Sequence, residues 1–293
     1  MASKAPPGPP AAVTSNSLKS EKKIKAEDIA PAPAPVTSSG PRQVQVQCIA
    51  PYKEAAWIPI GREQEGAAAN SVQYSQGLRP PGHVTAFIKI GGQASKGLTN
   101  SADNAMVYVV MRGEVTVMIN SLQFTSATKG DIVYVPPDNT FNIINTGQDM
   151  AELFNFQYVV PDTSTAPATV TSKVQCLAPY KKAVWEPIGR EQEGVEAASV
   201  QYSQGLNPPS HVAAFIRISS QASKGLTNSA ANAMVFVVMR GEVTVVLNSS
   251  QFMATRGDTV YIPPHNSYNI LNMGQEEAEL FKFKYRNKPK HVI

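Results

Sequence analysis

The sequence predicts an all-β protein of two tandem antiparallel barrels or jelly rolls, preceded by a disordered arm. Three observations carry this. The run Val44–Tyr158 returns in the same order as Val174–Tyr285: QCIAPYK at Gln47–Lys53 reappears as QCLAPYK at Gln175–Lys181, SVQYSQGL at Ser71–Leu78 as Ser199–Leu206, and VVMRGEVTV at Val109–Val117 as Val237–Val245. Cys48 and Cys176 are 128 positions apart, and that spacing holds until one residue drops out between Phe252 and Gly257. A unit of that length is the size of a domain and too long for a solenoid repeat. Within each copy the apolar residues follow strand periodicity, with no amphipathic helix of any length. Gly and Pro punctuate the runs at even spacing, the pattern of a small barrel.

Taken in order, 1–42 is rich in Pro, Ala, Ser and Lys, with PPGPP and APAPAP runs. Such a segment buries too little apolar area to offset its ordering entropy, so it is expected to be a disordered arm. Inside it, Ile24-Lys25-Ala26-Glu27 has the apolar–Lys–x–Glu form of a sumoylation acceptor, with Lys25 as the candidate; the alternative is a solvated charge cluster. The first repeat spans 43–158. Its strands are HVTAFIKI (His83–Ile90), the wholly apolar MVYVVM (Met106–Met111), EVTVMI (Glu114–Ile119), DIVYV (Asp131–Val135), FNII (Phe141–Ile144) and ELFNFQY (Glu152–Tyr158). Arg112-Gly113, Lys129-Gly130, Pro136-Pro137 and Thr146-Gly147 break them. A linker at 159–173 reaches roughly 45 Å when extended, enough for the copies to meet about a pseudo-twofold axis. The second repeat spans 174–286, and a basic tail occupies 287–293.

Composition narrows the function classes. Hydrophobic residues make up 42% and charged residues 16%, as in globular domains, and the net charge is only +4. The excess of Lys and Arg gathers at Lys19–Lys25 and in the tail, so direct nucleic-acid binding is not expected. No window holds the ~18 consecutive apolar residues of a membrane span, and the N-terminus has no signal-peptide core. A soluble intracellular protein is expected. Cys48 and Cys176 occupy equivalent positions and read as buried thiols of a reducing compartment, with a bridge between the copies as the alternative.

The motif with most information ends each repeat: GDIVYVPPDNTFNIIN at Gly130–Asn145 and GDTVYIPPHNSYNILN at Gly257–Asn272. It resembles the second conserved motif of the cupin superfamily. More narrowly, the aromatic before the x-Pro step (Tyr134, Tyr261) and the Asn139–Asn145 and Asn266–Asn272 runs resemble the C-terminal cupin, or dimerisation domain, of centromere protein C. The resemblance covers the latter two-thirds of both repeats and implies two cupin-type jelly-roll barrels. Metal-binding cupins supply an H-x-H pair, a Glu seven residues before the first-motif glycine, and a second-motif His. Here Gly113 sets the register: Met106 and Met234 stand at the Glu position, Phe141 and Tyr268 at the His position, and Thr99–Ala102 and Thr227–Ala230 carry no histidine. Met, Ala and Phe cannot replace nitrogen or carboxylate ligands, so no metal or other cofactor and no enzymatic activity are expected. The cupin of centromere protein C shows the same loss.

The remaining candidates are not catalytic. His83 and His211 are equivalent and sit at a strand start, where capping or packing is expected. Arg62–Glu65 and Arg190–Glu193 (Arg-Glu-Gln-Glu) read as salt-linked surface turns. With Trp57 and Trp185 nearby, Trp57, Arg62, Trp185 and Arg190 are candidate partner contacts. The run Met106–Met111 is apolar on both faces, whereas a strand of an isolated barrel has one polar face. Packing on the other copy is the simplest cover, and we assign Met106, Tyr108 and Val110 with Met234, Phe236 and Val238 to that interface; cover by local loops or by Gln47–Gly66 is the alternative. The resemblance thus implies a non-enzymatic interaction protein of the nucleus, at chromosomes and centromeres, that pairs through its cupins with itself or with chromosomal or kinetochore partners, in kinetochore assembly or meiotic chromosome behaviour. A metal-free bicupin binding a small molecule in a barrel lined by Met106, Phe141 and their copies is the second reading, and a bicupin enzyme the third.

Overall fold

The computed structural model describes residues 47–60, 71–120, 122–159, 176–188, 199–207 and 211–286. The arm with Lys25, the linker, Arg62, Arg190 and the basic tail lie outside the described residues. Each copy folds as two antiparallel sheets facing one another. In the first copy the four-stranded sheet runs Thr99–Asn100, Thr140–Asn145, Glu114–Ile119, Leu122–Thr128. The seven-stranded sheet facing it has Asn104–Arg112 near its centre, hydrogen-bonded to Ile132–Val135 on one side and Ala151–Val159 on the other, followed outward by His83–Ile90, Val72–Gln76 and Ile58–Pro59. The second copy repeats this arrangement around Asn232–Arg240.

The edge strands are exchanged. Leu177–Ala178 of the second copy pairs with Val133 and Ile132 of the first, and Ile49–Ala50 of the first pairs with Val260 and Thr259 of the second. Tyr134 N donates to the Cys176 carbonyl and Tyr261 N to the Cys48 carbonyl, each at 2.8 Å. The start of each repeat therefore belongs to the barrel of the other. Cys176 packs in the core of the first barrel and Cys48 against that of the second, and the two form no disulfide.

A wholly apolar central strand has to be covered on both faces, and the fold does so with two cores. Facing inward, Met106, Tyr108 and Val110 join Val115, Val117, Ile119, Phe141 and Ile143 in the barrel core; Met234, Phe236 and Val238 do the same in the second copy. Facing outward, Val107, Val109 and Met111 meet Val235, Val237 and Met239 in a third core shared by the two copies. The assignment of Met106, Tyr108, Val110, Met234, Phe236 and Val238 to the interface is thereby corrected: the alternate residues of the same strands form it. Periodicity could not choose between two apolar faces. The position of Met106 and Met234 could, because a cupin ligand position points into the barrel.

The exchange is anchored by the Gly-Asp pair. Asp131, 4% exposed, accepts at Oδ2 from the N–H (2.7 Å) and the hydroxyl of Thr128, and at Oδ1 from the N–H of Tyr180 in the other copy (2.6 Å). Asp258 does the same for Thr255 and Tyr52. Gly130 and Gly257 take φ values of +90° and +92°, and a Cβ there would lie 2.6 Å from the Tyr180 or Tyr52 ring. Asp258→Ala strands the half-buried Tyr52 and Thr255 amides and is expected to destabilise the full chain by about 2 kcal/mol. Gly257→Ala is expected to be comparably harmful, and Asp258→Asn milder, since an acceptor remains. Urea denaturation followed by tryptophan fluorescence reads all three; an unshifted midpoint for Asp258→Ala would contradict this role.

Candidate functional site

Three places can carry function: the shared core, the barrel interiors and the crossing of the exchanged segments. At the shared core, Phe154, Phe156 and Tyr158 of the last strand of the first copy face Phe281, Phe283 and Tyr285 of the second. Phe156 and Phe283 lie 4.2 Å apart between ring centroids. His83 lies 3.7 Å from Tyr285, and His211 lies 3.7 Å from Tyr158, so the two histidines stack reciprocally across the pseudo-twofold axis, 6.0 Å from one another. They are packing residues, as their place at a strand start implies. Burial lowers the His83 pKa to about 4, although its Nδ1 donates to the Pro81 carbonyl at 2.7 Å.

The barrel interiors are filled where a cupin metal would sit. In the first, the Tyr108 hydroxyl meets Met106 Sδ at 3.2 Å beside Phe141. In the second, the aromatic pair is reversed: Phe236 replaces Tyr108, Tyr268 replaces Phe141, and the Tyr268 hydroxyl meets Met234 Sδ at 3.3 Å. Above these rings lies a lysine from the loop preceding the former H-x-H site. Lys96 Nζ is 4.6 Å from the Phe141 ring centre and donates to Thr99 Oγ1 at 2.7 Å; Lys224 is placed alike over Tyr268 and on Thr227. Burial lowers both to about 8. In each barrel one thioether, two aromatic rings and one ammonium group do not fit a divalent metal. Among the described residues no group of three or more His, Cys, Asp or Glu side chains could hold one.

At the crossing, Trp57 and Trp185 are half-buried and held within the chain. Trp57 makes an edge contact with Tyr52 and carries Lys89 Nζ 3.8 Å above its ring. Trp185 does so with Tyr180 and the Arg217 guanidinium, which also donates to the Tyr180 hydroxyl at 2.7 Å. Lys89 gives Tyr52 no such bond, and a cavity of about 170 Å3 opens there, lined by Tyr52, Phe87, Met111, Arg112, Glu152 and Arg256.

The asparagines of the repeated motif are structural. Asn145 Nδ2 donates to the carbonyls of Ile90, Gly91 and Asp149, and its Oδ1 accepts from Gly147 N. Asn139 Nδ2 donates to the Pro137 carbonyl while its Oδ1 accepts from Asn120. Asn272 and Asn266 repeat these bonds. Asp138 and His265 share a left-handed turn position (φ 57° and 60°), which explains why histidine can stand there without a counterpart.

Paired jelly rolls with filled ligand positions define the class: a tandem cupin whose interiors are packed. The family pattern described as Mif2/CENP-C like matches residues 75–157 and 200–284, and the chain belongs to that family. One curated relative, the inner kinetochore subunit MIF2 of Saccharomyces cerevisiae, is 38% identical over 58 residues, a stretch covering 20% of this chain and 11% of that protein. Solved structures share the fold at low identity. AerE from Microcystis aeruginosa aligns with a TM-score of 0.63 at 10% identity over 82% of this chain and 99% of its own. A variant of oxalate decarboxylase OxdC from Bacillus subtilis aligns at 0.59 and 13% over 83% and 78%. A cupin 2 conserved barrel domain protein from Leptotrichia buccalis aligns at 0.53 and 11% over 84% and 99%.

The histidine stack predicts a pH dependence. The folded state keeps His83 neutral down to about 4, whereas the unfolded chain protonates it near 6.5. The unfolded state therefore binds the extra proton in that interval, and stability falls as pH drops from about 6.5 to about 4 by up to roughly 3 kcal/mol. His83→Phe is expected to flatten this decline in denaturation series at several pH values, with little change above pH 7.

Proposed function

We propose that the chain is a non-enzymatic interaction protein of the centromere and kinetochore, acting in the nucleus through a cupin pair that it completes within itself. The single observation that carries this is the core shared by Val107, Val109 and Met111 with Val235, Val237 and Met239, closed on both sides by exchanged strands. Membership of the Mif2/CENP-C-like family supports this setting, as does the short match to an inner kinetochore subunit. In this reading the pairing surface is used up inside one chain. The protein then works as an adaptor presenting its outer faces to chromosomal partners, among them the edges near Trp57 and Trp185, rather than as a cross-linker of its own copies.

Two measurements test the reading. By light scattering the full chain should be monomeric, while residues 174–293 expressed alone should dimerise, each placing its Cys176–Lys182 segment on the other. A dimeric full chain would make it a cross-linker instead. In dividing cells a fluorescent fusion should form foci coincident with centromeric chromatin, and a diffuse signal throughout division would overturn the assignment. The cavity beside Tyr52 supports a second reading, as a small-molecule binder, which a thermal-shift screen with small organic acids addresses.

A further inference from the structure

The two barrels differ most in charge at the end that holds the former ligand positions. In the second copy three lysines reach that end from two elements. Lys282 and Lys284 sit on Ala278–Arg286, in register with the barrel-facing Phe236 and Met234. Lys224 comes from the loop over Tyr268. Lys282 Nζ lies 5.7 Å from the Tyr202 ring centre. Burial, then the neighbouring charges of Lys224 and Lys284, lower its pKa to about 8. The salt bridges among the described residues, Arg217–Glu277 and Arg240–Glu276, involve none of these lysines. Glu186, exposed and opposite Tyr202 on the edge strand, is in line with Leu280 and not with either lysine. In the first copy the equivalent positions hold Asn155, Gln157 and Ile58, so only Lys96 remains.

Three ammonium groups gathered on one barrel end raise the folding free energy by mutual repulsion and by desolvation, unless an anion lies among them. The barrel beneath is filled by Met234, Phe236 and Tyr268, so such an anion rests on the barrel end and does not enter it. A free anion resting on the barrel end, and not inside it, keeps part of its hydration. An anionic side chain delivered by a polypeptide gains further contacts nearby, and Leu226 is available for them: it follows Lys224 by two residues and is 77% exposed.

We propose that this end of the second barrel docks an acidic segment of a partner protein, its Asp or Glu carboxylates lying among Lys224, Lys282 and Lys284 and its apolar residues on Leu226. This rests on the reading of the chain as an interaction protein and names the chemistry of one partner. The first barrel, lacking two of the three lysines, does not take part.

The test uses the full chain and a dye-labelled hexaglutamate peptide, followed by fluorescence anisotropy at low and moderate salt. The wild type should bind, with affinity falling as salt rises. The double variant Lys282→Asn with Lys284→Gln installs residues that the first barrel already accommodates, and it should bind at least tenfold more weakly. Lys181→Ala with Lys182→Ala, which removes two exposed lysines elsewhere, should leave binding within twofold. Asn155→Lys with Gln157→Lys should create a second site of similar affinity. Equal weakening by the Lys181/Lys182 variant would reduce the effect to general charge attraction and overturn the proposal, as would absence of binding by the wild type at low salt. Free glutamate competing as well as the peptide would replace the acidic segment with a small anion. Because the readout is binding in vitro, its failure leaves centromeric localisation, and hence the wider reading, standing.

Discussion

The constraint on which the molecule depends is the second apolar face of its central strands. Val107, Val109 and Met111, with Val235, Val237 and Met239, are all but fully buried, and none of them contributes to a barrel interior. At about 1.5–3 kcal/mol per side chain, six such residues, three from each barrel, represent on the order of 10 kcal/mol that the pair would forgo if the copies separated. That is comparable with the whole stability of a typical domain. The aromatic layer of Phe154, Phe156, Tyr158 and their copies adds to the same core. The exchanged segments then close it, with Tyr52 and Tyr180 lying against the glycines that leave room for their rings. Association between the copies and the folding of each barrel are thus one cooperative problem.

Filling the barrels follows from the same economy of packing. A metal cupin keeps polar ligands inside and a space for substrate. Here the ligand positions are held by Met106 and Phe141 in one copy and Met234 and Tyr268 in the other, and each interior has one tyrosine and one phenylalanine. The hydroxyl has moved across the barrel between copies, yet it finds the equivalent methionine sulfur in both. That exchange keeps the number of aromatic atoms constant and gives the hydroxyls of Tyr108 and Tyr268 each a sulfur acceptor. Selection on such an interior acts on volume and hydrogen bonding, which is what a rigid support for a pairing face requires.

Much of this was legible in the residues. Repetition at a fixed spacing gave two copies, alternation gave strands, and the two-faced Met106–Met111 run required a second buried surface. The loss of ligands could be read position by position once Gly113 set the register. The choice of face could not come from periodicity alone, because an unbroken apolar strand has no polar residue to mark its outside. The exchange of the first segments was also hidden: Gln47–Lys53 looks identical whether it pairs with its own barrel or the other, since both copies present the same Gly-Asp acceptor. Distances along the chain do not distinguish those partners; three-dimensional register does.

What separates the two copies is as informative as what they share. The pairing residues are nearly invariant between them, since each must fit its counterpart across the pseudo-twofold axis. The differences collect elsewhere: Lys89 against Arg217, Ile58 against Glu186, Asn155 against Lys282, Gln157 against Lys284. At the first difference the arginine donates to the Tyr180 hydroxyl, a bond that Lys89 does not make to Tyr52, beside which a cavity lies. The others charge one barrel end and not the other. In a symmetric dimer of two chains any such change would occur twice, once on each side. Joining the copies in one chain removes that coupling, so one molecule can hold two different outer surfaces on a common core, each altered without altering the other.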